Sequence, residues 1–284
     1  MHFTKNEATV LVPDARPVAE ACARITHLGI GAHQDDLEIM AYHGIETCYL
    51  APDRTFGGVT CTDGRGSART GVYAGFTDEQ MMEVRIREQN KAAVLGDYGI
   101  MIQLGHASRD IKSPAYASLT DDLITVLRAT RPEVVYTHNP ADKHETHIGV
   151  FVSVLQAIRR LPAAERPRQL LGCEVWRGLD WMPDEDKVAL DVSGHENLFH
   201  ALVGVFDSQI AGGKRYDLAT LGRARANATY HQSHHVDAAQ LAWLAMDLTP
   251  LVNDDHLDPV AFVDHYLNRF AADVRTKLST RWGT

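Results

Sequence analysis

The chain has 284 residues, 45% of them hydrophobic and 23% charged, which suits one large α/β domain or one domain with an appended lobe around a sizeable core. Its net charge of −9 argues against a general nucleic-acid binder, which carries a basic stripe. Four scattered cysteines (Cys22, Cys48, Cys61, Cys173) with no Cys-x-x-Cys pair argue against a disulfide framework and a cysteine-rich zinc site.

The start of the chain lacks the basic-then-apolar order of a secretory signal, and no apolar run approaches the roughly 18 residues that span a bilayer. A reducing, cytoplasmic compartment and no membrane partner are the expectation. Residues 1–24 are a mixed lead-in with a short helix over 17–23. The apolar run 25–30 reads as a buried strand, and it delivers Gly31-Ala32-His33-Gln34-Asp35-Asp36-Leu37-Glu38. Leu37, Met40, Ala41 and Ile45 recur on one side and predict a helix over 37–45, with a second strand over 47–50. Residues 56–62 read as strand and 63–67 as a turn rich in glycine. Thr77 with Gln80 is a capping box, opening a helix that stops at Gly96.

A strand is expected over 100–104 and an amphipathic helix over 119–129, ended by Pro132. A strand over 134–136 then leads into His138-Asn139-Pro140-Ala141-Asp142-Lys143-His144-Glu145-Thr146-His147, and a helix follows over 147–158. Residues 162–167 form a linker or turn. Strands around 173–176 and 188–192 and helices near 195–210, 214–229 and 257–277 complete the pattern. Strands alternating with helices over the first 160 residues argue for a parallel sheet covered on both faces. In such sheets ligands bind at the carboxyl ends of the strands, where both His/Asp clusters fall. Residues 1–284 are read as a single domain, with about 162–284 adding strands and helices around the pocket.

His33 and Asp36 are three apart, as are His144 and His147, so each pair lies on one side of a helical turn. A catalytic zinc takes three protein ligands and leaves a position for water. Four groups are on offer, so one is free to act on the substrate. Asp35, beside a ligand, is placed to take a proton from water whose pKa a metal lowers to about 7. A cationic histidine nearby would stabilise the oxyanion of a tetrahedral intermediate. This set suits hydrolysis of an unactivated amide or ester.

These residues resemble a known family. Ala32-His33-Gln34-Asp35-Asp36-Leu37-Glu38 is similar to the His-Pro-Asp-Asp motif of the PIG-L/LmbE-like metal-dependent deacetylases, and His144-Glu145-Thr146-His147 to their later His-Pro-Asp-His motif. Thr62-Asp63-Gly64, Arg85-Ile86-Arg87-Glu88, Asp191-Val192-Ser193 and Asp207-Ser208-Gln209 resemble further motifs in the family's order, and the likeness spans roughly residues 25–240. The resemblance implies a Rossmann-like three-layer α/β sandwich with a mostly parallel central sheet. It implies removal of acetyl groups from N-acetylglucosamine-type amides, with zinc (Zn2+) as cofactor and ferrous iron (Fe2+) as the alternative. Carried over by motif, His33, Asp36 and His147 would bind the metal, Asp35 would be the base and His144 the oxyanion stabiliser. Arg85 would contact substrate or simply pair with Glu88, Asp63 would shape the pocket, and Arg177 beside Trp176 is a looser candidate for substrate contact.

The chain departs from the family at Gln34, at Glu145-Thr146, at Tyr42-His43 where a glycine pair is usual, and at Ala238-Ala239-Gln240. Either Asp142 or Glu145 would replace the acid missing before His147. His138 reads as structural or pocket-lining, and His231, His234 and His235 as surface or subunit contacts, which leaves a homo-oligomer possible. The partner expected is a small N-acetylated molecule. An amidase for a larger acyl group and a non-catalytic metal-dependent binding protein are the alternatives. A nucleotide-binding oxidoreductase is distant, because the glycine fingerprint is absent.

Overall fold

The computed structural model describes residues 1–232 and 234–283. The first half of the chain lays down β1 (Thr9–Leu11), α1 (Val18–Ala23), β2 (His27–Gly31), α2 (Asp36–Met40), α3 (Tyr42–Cys48), β3 (Phe56–Thr62), α4 (Asp78–Leu95) and β4 (Ile100–His106). Then come α5 (Ser108–Ile111), α6 (Ser118–Thr130), β5 (Val134–His138), α7 (Glu145–Arg159) and β6 (Gln169–Cys173). The remainder adds β7 (Lys187–Asp191), α8 (Glu196–Gly204), α9 (Asp207–Ile210), α10 (Tyr216–Tyr230), β8 (Ala242–Asp247), α11 (Thr249–Asn253) and α12 (Pro259–Trp282).

All eight strands share one sheet in the order β1-β4-β3-β2-β5-β6-β8-β7. The central strands β4, β3, β2, β5 and β6 are mutually parallel, while β1 runs antiparallel to β4, and β8 antiparallel to β6 and β7. All seven residues of β3 are buried, as a strand covered on both faces requires. Val135 enters a core shared with α6 and α7, and its neighbour Tyr136 enters a second core on the other face, with α2, α3 and α8. The molecule is therefore a three-layer α/β sandwich with a mostly parallel sheet. Among the described residues no helix is long and apolar enough to cross a membrane.

From β2 the chain winds one way through β3 to β4, then returns to place β5 on the other side of β2. The switch point lies between β2 and β5, where a crevice opens at the carboxyl ends of the strands. Both clusters singled out in the sequence follow these two strands. The capping box at Thr77 and Gln80 opens α4, and Gly96 closes it.

Several expectations change, and the helix expected over 37–45 is two, α2 and α3, parted at Ala41. Residues 47–50 are not a strand: α3 continues to Cys48, and Leu50 turns the chain with φ 57°. The strand expected at 173–176 lies earlier, as β6, because it must pair in register with β5. The helix expected over 195–210 is two helices, α8 and α9, broken at Val205-Phe206. Finally, β8 was not foreseen.

Gly44 in α3 lies against the buried Tyr136 ring, and a Cβ there would stand 2.5 Å from Tyr136 Cε2. The ring is held by the 2.9 Å contact between its hydroxyl and His43 Nδ1, so it has little room to yield. Gly44→Ala is expected to cost about 1–3 kcal/mol, read as a fall in urea midpoint.

Candidate active site

β2 ends at Gly31, and the chain turns so that Asp35 caps α2 with φ 98°, a left-handed backbone that a non-glycine residue adopts at a cost. The turn sends Asp35 and Asp36 to different partners. Asp36 Oδ2 lies 3.3 Å from His33 Nδ1 and 3.5 Å from His147 Nε2, and these two nitrogens are 3.2 Å apart. Ligands about 2.0–2.1 Å from a tetrahedral ion stand about 3.3–3.4 Å from one another. The three donors thus fit a single zinc-sized ion.

His138 Nε2 is 3.4 Å from the same Asp36 oxygen, so Asp36, His138 and His147 form a second possible metal group. His138 Nε2 also accepts the Ala32 N–H at 2.9 Å, which occupies the lone pair a metal would need. His33, His144 and His147 form a third grouping. The rings of His138, His147, His144 and Trp176 are stacked in that order, with successive centroids 3.8, 4.6 and 6.3 Å apart.

The electrostatics prepare ligand states. Burial, then His138, holds the His147 imidazole down at about 4, so it is neutral with a free lone pair. Burial pushes Asp36 up, but His147 and His138 outweigh it and hold the carboxyl well below its usual range. Asp142 Oδ2 lies 3.3 Å from His147 Nδ1, fixing the tautomer that presents Nε2 to the site. Of the two acids considered for that service, Asp142 is buried at the histidine. Glu145 is exposed and faces Lys112 at 3.6 Å.

Asp35 is tied instead to Arg85, whose Nη2 donates to its Oδ2 at 3.1 Å and to the Gln34 carbonyl. Arg85 Nη1 donates to Ser208 Oγ at 3.3 Å and Glu88 Oε2 at 3.4 Å, and Ser208 Oγ donates to Glu88 at 2.6 Å. Arg85 therefore pairs with Glu88 and also reaches the site. Burial raises the Asp35 carboxyl to about 6 despite the Arg85 charge. Burial lowers His144, with His33 adding to the effect.

Glu38, below the site in α2, is buried and pushed up to about 7. Its Oε1 accepts from Gln89 Nε2 and the Tyr98 hydroxyl, while Oε2 has no partner. A carboxyl raised on folding holds its proton in the native state, so stability is lost as pH rises from about 4.5 through 7. In chelator-treated protein Glu38→Gln should match wild type at pH 5 and exceed it at pH 8. The gain is on the order of 3 kcal/mol, read from urea midpoints.

The donors open into a cavity of about 540 Å³ that His33, Asp35, Asp36, Arg85 and His144 line. Asp63 lies behind this wall, its carboxylate accepting from Arg65 N and Nε, and the adjacent Gly64 reaches the cavity. Arg177 is exposed and lies outside the lining; Trp176 beside it is part of the wall. Besides Arg85, the cations that line the cavity are Lys112, Lys214 and Arg223, which the sequence reading missed. His231 is half-buried, His234 and His235 are exposed, and none of the three lines the cavity.

Residues 28–158 match the family model described as PIG-L: GlcNAc-PI de-N-acetylase, and this span holds His33, Asp35, Asp36, His144 and His147. Over this segment the chain is similar to the PIG-L family. Solved structures share the fold over most of the chain. The conserved protein TT1542 from Thermus thermophilus is 18% identical with a TM-score of 0.62, covering 78% of this chain and 94% of that one. N,N'-diacetylchitobiose deacetylase from Pyrococcus horikoshii is 15% identical with a TM-score of 0.62, covering 85% and 90%. GalB, the 4-carboxy-2-hydroxymuconate hydratase from Pseudomonas putida, is 15% identical with a TM-score of 0.57, covering 79% and 96%. At such identities the likeness is one of fold, and this fold is shared by proteins named for different reactions. No curated protein matches the chain.

Proposed function

We propose that the chain is a zinc-dependent amide hydrolase that removes an acetyl group from a small N-acetylated sugar or sugar conjugate. The observation that carries this reading is the set of three donors 3.2–3.5 Å apart, with the Asp35 carboxylate beside them in the same cavity. His33, Asp36 and His147 would hold the ion. When bound, it supplies Lewis acidity and lowers the pKa of water.

The chain's own residues do the rest. Asp35 accepts the proton of the attacking water, and Arg85 fixes the carboxylate that accepts it. His144, across the cavity from Asp35, donates a hydrogen bond to the oxyanion. Asp35 then returns its proton to the amine nitrogen as the carbon–nitrogen bond breaks, and acetate and a free amine leave. Asp142 acts at one remove, by setting the His147 tautomer.

The cavity has room for more than an acetyl group, and the side chains of Ile39, Val175 and Trp176 form an apolar portion of its lining. A panel of N-acyl groups on one amino sugar decides the point. The expected result is equal release of acetate and amine, abolished by a chelator and restored by zinc, with rates falling as the acyl chain lengthens. Rates rising with acyl length would indicate the larger-acyl amidase. Bound metal without amine from any substrate would leave a binding protein.

A further inference from the structure

We propose that the outer half of the same cavity is an oxyanion subsite, so that the ligand carries a carboxylate or phosphate apart from the acyl group. α10 presents Tyr216, Ala219, Thr220 and Arg223 to the cavity, the i, i+3, i+4, i+7 spacing of one helix face. Lys214, just before this helix, places its ammonium 5.0 Å from the Trp176 ring centroid. Arg223 is half-buried, and Nη1 donates to the Val175 carbonyl, holding the turn that carries Trp176. Among the described residues neither Lys214 nor Arg223 has a carboxylate within 4.0 Å, whereas Lys112, which also lines the cavity, faces Glu145 at 3.6 Å. Glu174, whose field reaches Arg223, directs its oxygens to Leu179 N, Asn227 Nδ2 and Leu244 N.

Among the described residues the only carboxylates lining the cavity are Asp35 and Asp36, both engaged at the metal site. Glu174 compensates the Arg223 charge only at a distance, so a bound anion in direct contact with the half-buried guanidinium would be favoured. Arginine and lysine lining the same cavity as the metal-site acids are matched by an anionic group on the ligand apart from its acyl group.

This inference borrows the sugar scaffold from the hydrolase reading, and its test does not need turnover. Metal-loaded Asp35→Asn protein is titrated calorimetrically with an N-acetylhexosamine phosphate, the neutral parent sugar and inorganic phosphate. The phosphorylated sugar is expected to bind at least about tenfold tighter than the parent, with a preference that weakens with salt. Lys214→Gln and Arg223→Gln should each reduce that preference about tenfold without changing affinity for the neutral sugar. Lys214→Gln serves alone if loss of the Val175 contact unfolds the other. Equal binding of both sugars, no binding of either phosphate, or a preference that survives Lys214→Gln overturns the subsite and leaves the hydrolase reading untouched. Phosphate-dependent binding with no amine from any substrate would sink the hydrolase reading and keep the subsite.

A separate observation concerns α12. Phe262, Tyr266 and Arg269 face the body of the molecule, where Arg269 pairs with Glu185 and Asp186. Val260, Leu267, Phe270, Val274, Leu278 and Trp282 form another stripe along the helix, and all are exposed, Leu278 by 65% and Trp282 by 85%. The stripe is flanked at one end by Asp264 and at the other by Arg281, neither of which has an ion pair within the described chain. A two-fold axis between residues 272 and 273 would set Leu267 against Leu278, Ala271 against Val274 and Asp264 against Arg281 of a second copy. A parallel pair would instead oppose like charges. The geometry points to an antiparallel α12–α12 pair between two copies of this chain.

Sedimentation across the micromolar range tests it. A reversible dimer is expected, weakened at least about a hundredfold by Leu278→Asp. Asp264→Arg or Arg281→Asp alone should weaken it, and an equimolar mixture of the two variants should restore it. A monomer at every concentration, a dimer indifferent to Leu278→Asp, a mixture no tighter than its components, or vesicle binding by monomeric protein overturns the pairing.

Discussion

Asp35→Asn is expected to lower kcat/KM by roughly 10²–10⁴ while leaving fold and metal content unchanged. Asparagine tolerates the left-handed backbone at this position, so the φ of 98° is kept without new strain. In the proposed reaction the substitution removes the acceptor for the proton of water, and it leaves Asp36, His33 and His147 in place. In wild type the base must be ionised, so the rate rises with pH through its pKa. Burial sets that pKa at about 6, and the charge of a bound ion pulls it lower, which places the acid limb of kcat/KM at or below about 6. Stopped assays across pH 4–8, with metal content measured on the same samples, separate loss of the base from loss of the ion.

Arg85→Met should damage both stability and rate. Arg85 is 1% exposed and bridges Asp35, Glu88, Ser208 and the Gln34 carbonyl. Methionine fills much of the same volume but leaves buried Asp35 and Glu88 without their cation. Breaking such a pair costs about 3–5 kcal/mol, seen as a lower urea midpoint. The sign at Asp35 is fixed as well: with the guanidinium gone its carboxyl rises further, so the acid limb moves to higher pH. An acid limb that stayed put would mean that Arg85 does not act on the base.

The half of the candidate site that gathers the two His/Asp clusters was readable because each cluster is local in the sequence. His33, Asp35 and Asp36 lie within one turn after β2, and His144 and His147 within one turn at the start of α7, so residue order alone put them at strand ends. The sheet's parallel centre was legible for the same reason: β2, β4 and β5 each carry a short apolar run, and a capping box opens the helix α4 between β3 and β4. What was missed depends on distant partners. β8, Ala242–Asp247, has alanine and methionine where β-branched residues would signal a strand, and it exists because β6 and β7 leave a gap that it fills in antiparallel register. Arg177 was attractive only as a neighbour of Trp176; Lys214 and Arg223 reach the cavity because α10 folds back over it, some 70 residues after the last ligand. His138 reads from the sequence as structural or pocket-lining, and only the fold shows its Nε2 3.4 Å from Asp36 and accepting the Ala32 N–H.

The most direct measurement is anomalous diffraction at the zinc edge from crystals grown with zinc. One peak is predicted, about 2.0–2.3 Å from His33 Nδ1, Asp36 Oδ2 and His147 Nε2, with the Asp35 carboxylate next to the open position and His138 still accepting from Ala32. A peak coordinated by His138 in place of His33, or no peak at all in zinc-loaded crystals, would contradict the site on which the proposed hydrolase rests.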